Sequence, residues 1–80
     1  MNDELIDKAI FSVLSESLGH WRKVAFVVGS VANSMGDVSA YGDEGYETIA
    51  RRIELLVSEG RLLAQGNIKN WRFSEVRLPN

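Results

Sequence analysis

Cysteine is absent from this 80-residue sequence, and histidine occurs once, at His20. Without thiols the chain forms neither disulfides nor thiolate metal sites, so we expect it to act in the reducing cytoplasm. A single histidine among scattered acids offers no metal-ligand spacing and little basis for a nucleophile–base pair. We therefore expect a protein that is not an enzyme and that has no catalytic residues, no metal and no cofactor.

Long hydrophobic runs are also missing. The longest apolar run, residues 24–28, is far too short to cross a membrane, and residues 1–7 carry three acids and no base, unlike a secretory signal. The composition, 45% hydrophobic and 25% charged, is that of an ordinary globular domain. We interpret residues 1–80 as a single domain with no membrane partner and no evident small-molecule substrate.

Charge is small in total but uneven along the chain. The formal net charge is −2, whereas nucleic-acid-binding domains are more often basic. Residues 1–40 hold three cations and five acids, a balance of −2, and residues 61–80 hold four cations and one acid, a balance of +3. An anionic partner is therefore expected at the C-terminal end.

Three segments have the periodicity of amphipathic helices: residues 3–18, 21–35 and 46–59. Leu5, Ile6 and Ile10 belong to the apolar stripe of the first. The run 24–28 alone also fits a buried strand, but the longer period favours a helix. Residues 36–45, rich in glycine and aspartate, are expected to form a loop, and Gly60 is expected to end the third helix.

The last twenty residues have the pattern of a β-hairpin. The predicted strands are residues 61–65 and 71–78, and the turn at 66–70 contains Gly66 and Asn67, which both tolerate a positive φ. Alternation slips within the second strand, and a bulge at Ser74 and Glu75 would restore it. We expect the rings of Trp71 and Phe73 to close the core, because so small a domain needs its large side chains inside.

Three helices followed by a hairpin form the order of a winged helix, so we predict an α+β, winged helix-turn-helix-like fold. Arg52-Ile53, Leu56, Gly60 and Leu62 resemble the pattern that runs from the third helix into the first wing strand of winged-helix proteins. The chain also resembles a family of short bacterial proteins without an established activity. That resemblance rests on residues 21–25 (WRKVA), 60–62 (GRL), 65–67 (QGN) and 71–79 (WRFSEVRLP). It implies a fold but no chemistry.

Five basic side chains are candidates for contact with a partner or with nucleic acid: Arg51, Arg52, Lys69, Arg72 and Arg77. The third helix would be the one that enters the major groove, yet its start carries Asp43, Glu44 and Glu47, which repel phosphates. The alternative is that Arg51 and Arg52 pair on the surface with acids of their own helix, such as Glu47 and Glu59. In the wing, the cations would then only solubilise an edge strand.

Two functions remain open. The favoured hypothesis is a non-catalytic protein-interaction module, whose partner is another protein or a second copy of the chain. Phe11 and Phe26 lie off the apolar stripes and are candidates for an exposed patch of this kind. The alternative hypothesis is a DNA-binding regulator that uses the third helix and the basic wing.

Overall fold

The computed structural model describes residues 3–17, 19–35 and 43–79. It is an α+β structure with three helices and a three-stranded antiparallel sheet. The elements follow in the order α1 (Asp3–Ser15), β1 (Arg22–Lys23), α2 (Val24–Met35), α3 (Asp43–Ser58), β2 (Leu63–Gln65) and β3 (Glu75–Arg77). One turn of 3-10 helix, Trp71–Phe73, precedes β3.

The core lies between the three helices and one face of the sheet. It contains only aliphatic side chains, because every tryptophan and phenylalanine lies at least partly at the surface. Its fully buried larger members are Ile6, Ile10, Leu14, Val24, Val27, Val28, Val31, Ile49, Ile53, Leu56 and Leu62. The predicted stripe of α1 is therefore narrower than expected, since Leu5 is 57% exposed.

The third helix ends as predicted. Gly60 has φ 76°, its N–H donates to the Val57 carbonyl at 3.0 Å, and the Arg61 N–H donates to the Leu56 carbonyl at 2.9 Å. This pair of hydrogen bonds is a Schellman motif, which requires a left-handed residue at the position of Gly60. Gly66 also has a positive φ, 83°, as the predicted turn requires.

Strand β1 was not expected, because the second helix was predicted to start at residue 21 and starts at Val24. Arg22 and Lys23 pair instead with Val76 and Glu75, and the Val24 N–H donates to the Ser74 carbonyl at 2.9 Å. β3 thus lies between β1 and β2. The paired residues are more than fifty positions apart in the sequence, so no local sequence pattern predicts β1.

Other predicted boundaries shift as well. α1 ends at Ser15 rather than at residue 18, and α3 includes residues 43–45, which were assigned to the loop. The rest of that loop, residues 36–42, lies outside the described residues. The predicted bulge is wrong, because the 3-10 turn and the extended Ser74 that follows it account for the slip in alternation.

Candidate partner-binding surface

Arg52, one of the five predicted contact residues, holds two helices together. Its Nε and Nη2 atoms donate to the two carboxylate oxygens of Asp7 at 2.9 and 2.6 Å, and Nη1 lies 3.7 Å from Asp3. The Asp7 hydrogen bond raises the pKa of Arg52 above its usual range, desolvation opposes the rise, and the negative charges of Asp7, Asp3 and Glu59 add to it. This guanidinium therefore binds carboxylates of α1. The surface-pairing alternative expected it to bind acids of its own helix instead.

Arg77 is also occupied within the fold. Its guanidinium carbon lies 5.0 Å from the centre of the Trp21 ring, and Nη1 is 3.5 Å from the Gly19 carbonyl. Its Nε is buried and has no hydrogen-bond partner among the described residues. A side chain in this position supports the junction of β1 and β3 and is poorly placed to reach a phosphate.

Arg72 and Trp71 meet the start of α3 through one carboxylate. The Trp71 Nε1 donates to Glu47 Oε1 at 3.3 Å, and Arg72 Nη1 lies 3.7 Å from the same oxygen. The Arg72 guanidinium also stacks over the Trp71 ring at 4.4 Å. Glu47 therefore binds the turn, whereas the sequence suggested a pair with Arg51 one helical turn later.

Arg51 and Lys69 are exposed, as Arg72 is, but unlike Arg72 they form no ion pair within the described part of the chain. They line a shallow cleft of about 300 Å³ between α3 and the segment before the 3-10 turn. Glu47 and Glu54 line the same cleft. Two cations and two carboxylates give no net charge, so the cleft offers an anion little electrostatic attraction.

The 3-10 turn is fixed by hydrogen bonds at both ends. The Phe73 N–H donates to the Asn70 carbonyl at 2.9 Å, and the Asn70 N–H donates to the Asn67 carbonyl at 2.9 Å. Beyond the turn, Ser74 is buried, and its carbonyl accepts the N–H of Val24 from α2. The backbone that carries Trp71 and Phe73 is therefore tied to the helices.

The prediction that the Phe73 ring closes the core is wrong. Its side chain is 82% exposed, whereas Trp71, two residues earlier, is half-buried and packs against the core. In a regular strand both rings would face the same side, but in a 3-10 turn neighbouring side chains point in different directions. The turn thus divides the pair, with one ring on the core and the other at the surface.

Arginine covers every other tryptophan and phenylalanine. Guanidinium groups lie over four of the five rings, at 4.4 to 5.1 Å from the ring centres: Arg22 over Phe26, Arg61 over Phe11, Arg72 over Trp71 and Arg77 over Trp21. Cation–π pairs of this kind arise about once per 70–80 residues, so four in one small domain are unusual. Phe73 is the one Trp or Phe ring that the described arginines leave bare.

Of Phe11 and Phe26, which were predicted to form an exposed patch, only Phe26 is exposed. Phe26 is 50% exposed on α2, whereas Phe11 is half-buried beneath Arg61. His20 is an exposed residue between α1 and β1, and no group of three or more His, Asp or Glu side chains converges in the described part of the chain. The side chains of Asp43 and Glu44, the predicted repulsive acids, lie outside that part.

None of the helices in the described ranges is long and apolar enough to cross a membrane. Comparisons with protein-family models, with curated proteins and with solved structures find no match to the chain.

Proposed function

We propose that this chain is a non-catalytic protein-interaction module on a winged-helix scaffold, and that Phe73 is the side chain that enters its partner. The scaffold assignment is supported by the element order and by the central position of β3, which joins the hairpin after α3 to β1. The absence of cysteine supports a cytoplasmic site of action.

The observation that carries the proposal is the bare ring of Phe73 on a fixed turn. When a partner covers an exposed phenylalanine, the apolar surface of the ring is removed from water. Complete burial of such a side chain contributes roughly 1.5–3 kcal/mol to the free energy of binding. Because hydrogen bonds already hold the turn, little backbone entropy is lost on binding. Aromatic side chains in this situation are typical anchors at the centre of an interface.

A photo-crosslinking experiment tests the proposal. We would place p-benzoylphenylalanine at position 73 in the native cell and, as a matched control, at position 26, where the ring is half exposed beneath Arg22. We expect a nuclease-resistant protein adduct from position 73 and not from position 26. Adducts from both positions alike, or none from position 73, would contradict an anchoring role.

The second candidate, a DNA-binding regulator, is favoured only by the nearness of Arg51 and Lys69 at the cleft beside α3. Arg52 and Arg77 are engaged elsewhere, and Arg72 faces Glu47. We therefore expect no binding to random duplex DNA tighter than about 10 micromolar at near-physiological salt. Fluorescence anisotropy decides: sub-micromolar binding that weakens steeply with salt and is lost in Arg51→Ala/Lys69→Ala would establish the regulator instead.

A further inference from the structure

The bare ring of Phe73 lies beside β1, the strand that the sequence analysis missed. Phe73 precedes Ser74, whose carbonyl accepts the N–H of Val24 at the first residue of α2. On the neighbouring strand, Lys23 precedes Val24 and pairs with Glu75. The two residues of β1, both cations, are therefore close to the ring in space although they lie about fifty positions away in the sequence.

Cations outnumber acids around this ring. We define the Phe73 face as the surface formed by residues 22–23 and 69–77, which carries five cations and one acid, Glu75. Two carboxylates of neighbouring segments adjoin it: Glu47, which binds the turn, and Glu16, which precedes Ser17. With both counted, the balance is +2 in a chain whose net charge is −2. The five cations are Arg22, Lys23, Lys69, Arg72 and Arg77.

The cations of the Phe73 face are not equally available to a partner. Contacts within the fold already hold Arg22 and Arg77, each of which lies over an aromatic ring. Lys23 and Lys69 are exposed, and neither forms an ion pair in the part of the chain that the structure describes. Glu75, which pairs with Lys23 in the sheet, accepts a hydrogen bond from the glutamine of β2. The two lysines can therefore bind carboxylates of a partner directly.

Two available cations suit a protein better than a nucleic acid. Proteins that bind nucleic acid gain much of their affinity from phosphate contacts, of which a typical complex has about 6–10. A protein interface needs fewer charges, because burial of an aromatic anchor supplies affinity while charged groups at the rim orient the partner and speed its association. Phe73, which is 82% exposed, is an anchor of this kind.

We propose that the partner of Phe73 is an acidic protein surface, in which an apolar pocket receives the ring and carboxylates at the rim of the pocket face Lys23 and Lys69. This inference rests on the proposed function and specifies the chemistry of its partner. The residues outside the Phe73 face carry a negative balance, so they repel an acidic partner while the face attracts it. Charge thus orients the partner toward the anchor.

Photo-crosslinking in cell extract measures this dependence on charge. p-Benzoylphenylalanine is placed at position 73 in the otherwise unmodified chain, in Lys23→Gln, in Lys69→Gln and in the variant with both changes. The matched control is Lys8→Gln, which removes an exposed cation from α1. At about 0.1 M salt, we expect the yield of protein adduct to fall about 3-fold in each single variant and about 10-fold in the double variant, and to change by less than about 1.5-fold in the control.

Salt concentration provides a second readout. Between about 0.1 M and about 1 M, the Debye length falls from about 10 Å to about 3 Å, so the unmodified chain should lose most of its advantage over the double variant. The lysines make no ion pair within the described part of the chain, so all variants should unfold at similar temperatures. That measurement separates a loss of binding from a loss of structure.

The outcomes distinguish this inference from the proposed function. Equal yields of protein adduct in all the chains at both salt concentrations would overturn the acidic partner and leave Phe73 as an anchor. A yield that falls in Lys8→Gln as much as in the lysine variants of the Phe73 face would also overturn it. An adduct that nuclease removes would identify a nucleic acid, and no adduct from any chain would remove the anchor; either result would overturn both proposals.

Discussion

Two arginines join α3 to other elements of the described structure through carboxylates, and their contacts differ in almost every physical respect. On the helical side, Arg52 binds both oxygens of Asp7, with side chains that are only 20% and 15% exposed. On the turn side, Arg72 lies 3.7 Å from Glu47, with side chains that are 57% and 41% exposed. The first contact is bidentate and largely shielded from solvent, and the second is a single contact exposed to solvent.

The difference separates residues that hold the fold from residues that face a partner. A shielded bidentate pair leaves an uncompensated charge when one member is removed, whereas water replaces a lost partner at an exposed pair. The helical side is therefore expected to be sensitive to substitution. The turn side is expected to tolerate changes at its surface, which leaves its residues available for binding.

The largest effect is expected from Arg52→Ala. It leaves Asp7 partly buried beside α3 without its cation, and we expect a loss of about 2–3 kcal/mol in the free energy of unfolding. Urea denaturation measures it. Because the pKa of Arg52 is raised above an already high value, the guanidinium stays charged in both states at alkaline pH, and the loss should be constant from about pH 7 to 10.

The neighbouring Arg51→Ala is the matched control for that substitution. Arg51 is exposed and has no ion-pair partner within 4 Å among the described residues, so we expect a change within about 0.5 kcal/mol. Equal losses in the free energy of unfolding of both variants would show that the contact of Arg52 with α1 contributes no stability that Arg51 lacks.

Trp71→Ala and Phe73→Ala sharpen the comparison within the turn itself. Removing the half-buried indole also removes its hydrogen bond to Glu47, and we expect a loss of about 2 kcal/mol. Removing the exposed phenyl ring should change the free energy of unfolding by less than about 0.5 kcal/mol. If Phe73→Ala is as destabilising as Trp71→Ala, Phe73 belongs to the core and is not an anchor.

The sequence anticipated what local chemistry determines. The three helices and the left-handed glycines at 60 and 66 follow from apolar periodicity and from glycine's freedom at positive φ. Strand β1 was missed because Arg22 and Lys23 acquire their conformation from β3, far away in the sequence. The five contact candidates looked alike as cations, and only the tertiary partners of Arg52 and Arg77 set them apart.

The site itself did leave a signal in the sequence. The slip in alternation at Ser74 and Glu75 marked the place where the strand pattern fails. A bulge and a 3-10 turn both restore the phase of Val76, but only the turn sends Phe73 away from the core. A bulge and a 3-10 turn would use the same number of residues here. Which of the two forms therefore depends on contacts with α2, and the alternation of apolar residues in the sequence does not contain that information.

A smaller effect is expected where α3 leads into the sheet. Gly60→Ala has open space around the added methyl group, so its cost is the strain of φ 76° alone, about 1 kcal/mol, and Gly60→Val should cost more. Gly29→Ala, also in open space but within α2, should stabilise the domain by about 0.5–1 kcal/mol. Thermal unfolding should place the two alanine variants on opposite sides of the unmodified chain, and a shift in the same direction would contradict this account.

The smallest effect is expected at the exposed pair on the turn. In a double-mutant cycle of Arg72→Ala and Glu47→Gln, we expect a coupling energy below about 0.5 kcal/mol, because water screens both side chains. Glu47→Gln keeps an oxygen that can accept the Trp71 Nε1–H bond, so the cycle reports the charge interaction rather than the loss of that bond. Urea denaturation at low and high salt provides the readout. A coupling above about 1.5 kcal/mol that persists in high salt would mean that Arg72 is shielded as Arg52 is, and the turn would then be a structural element rather than a surface kept open for a partner.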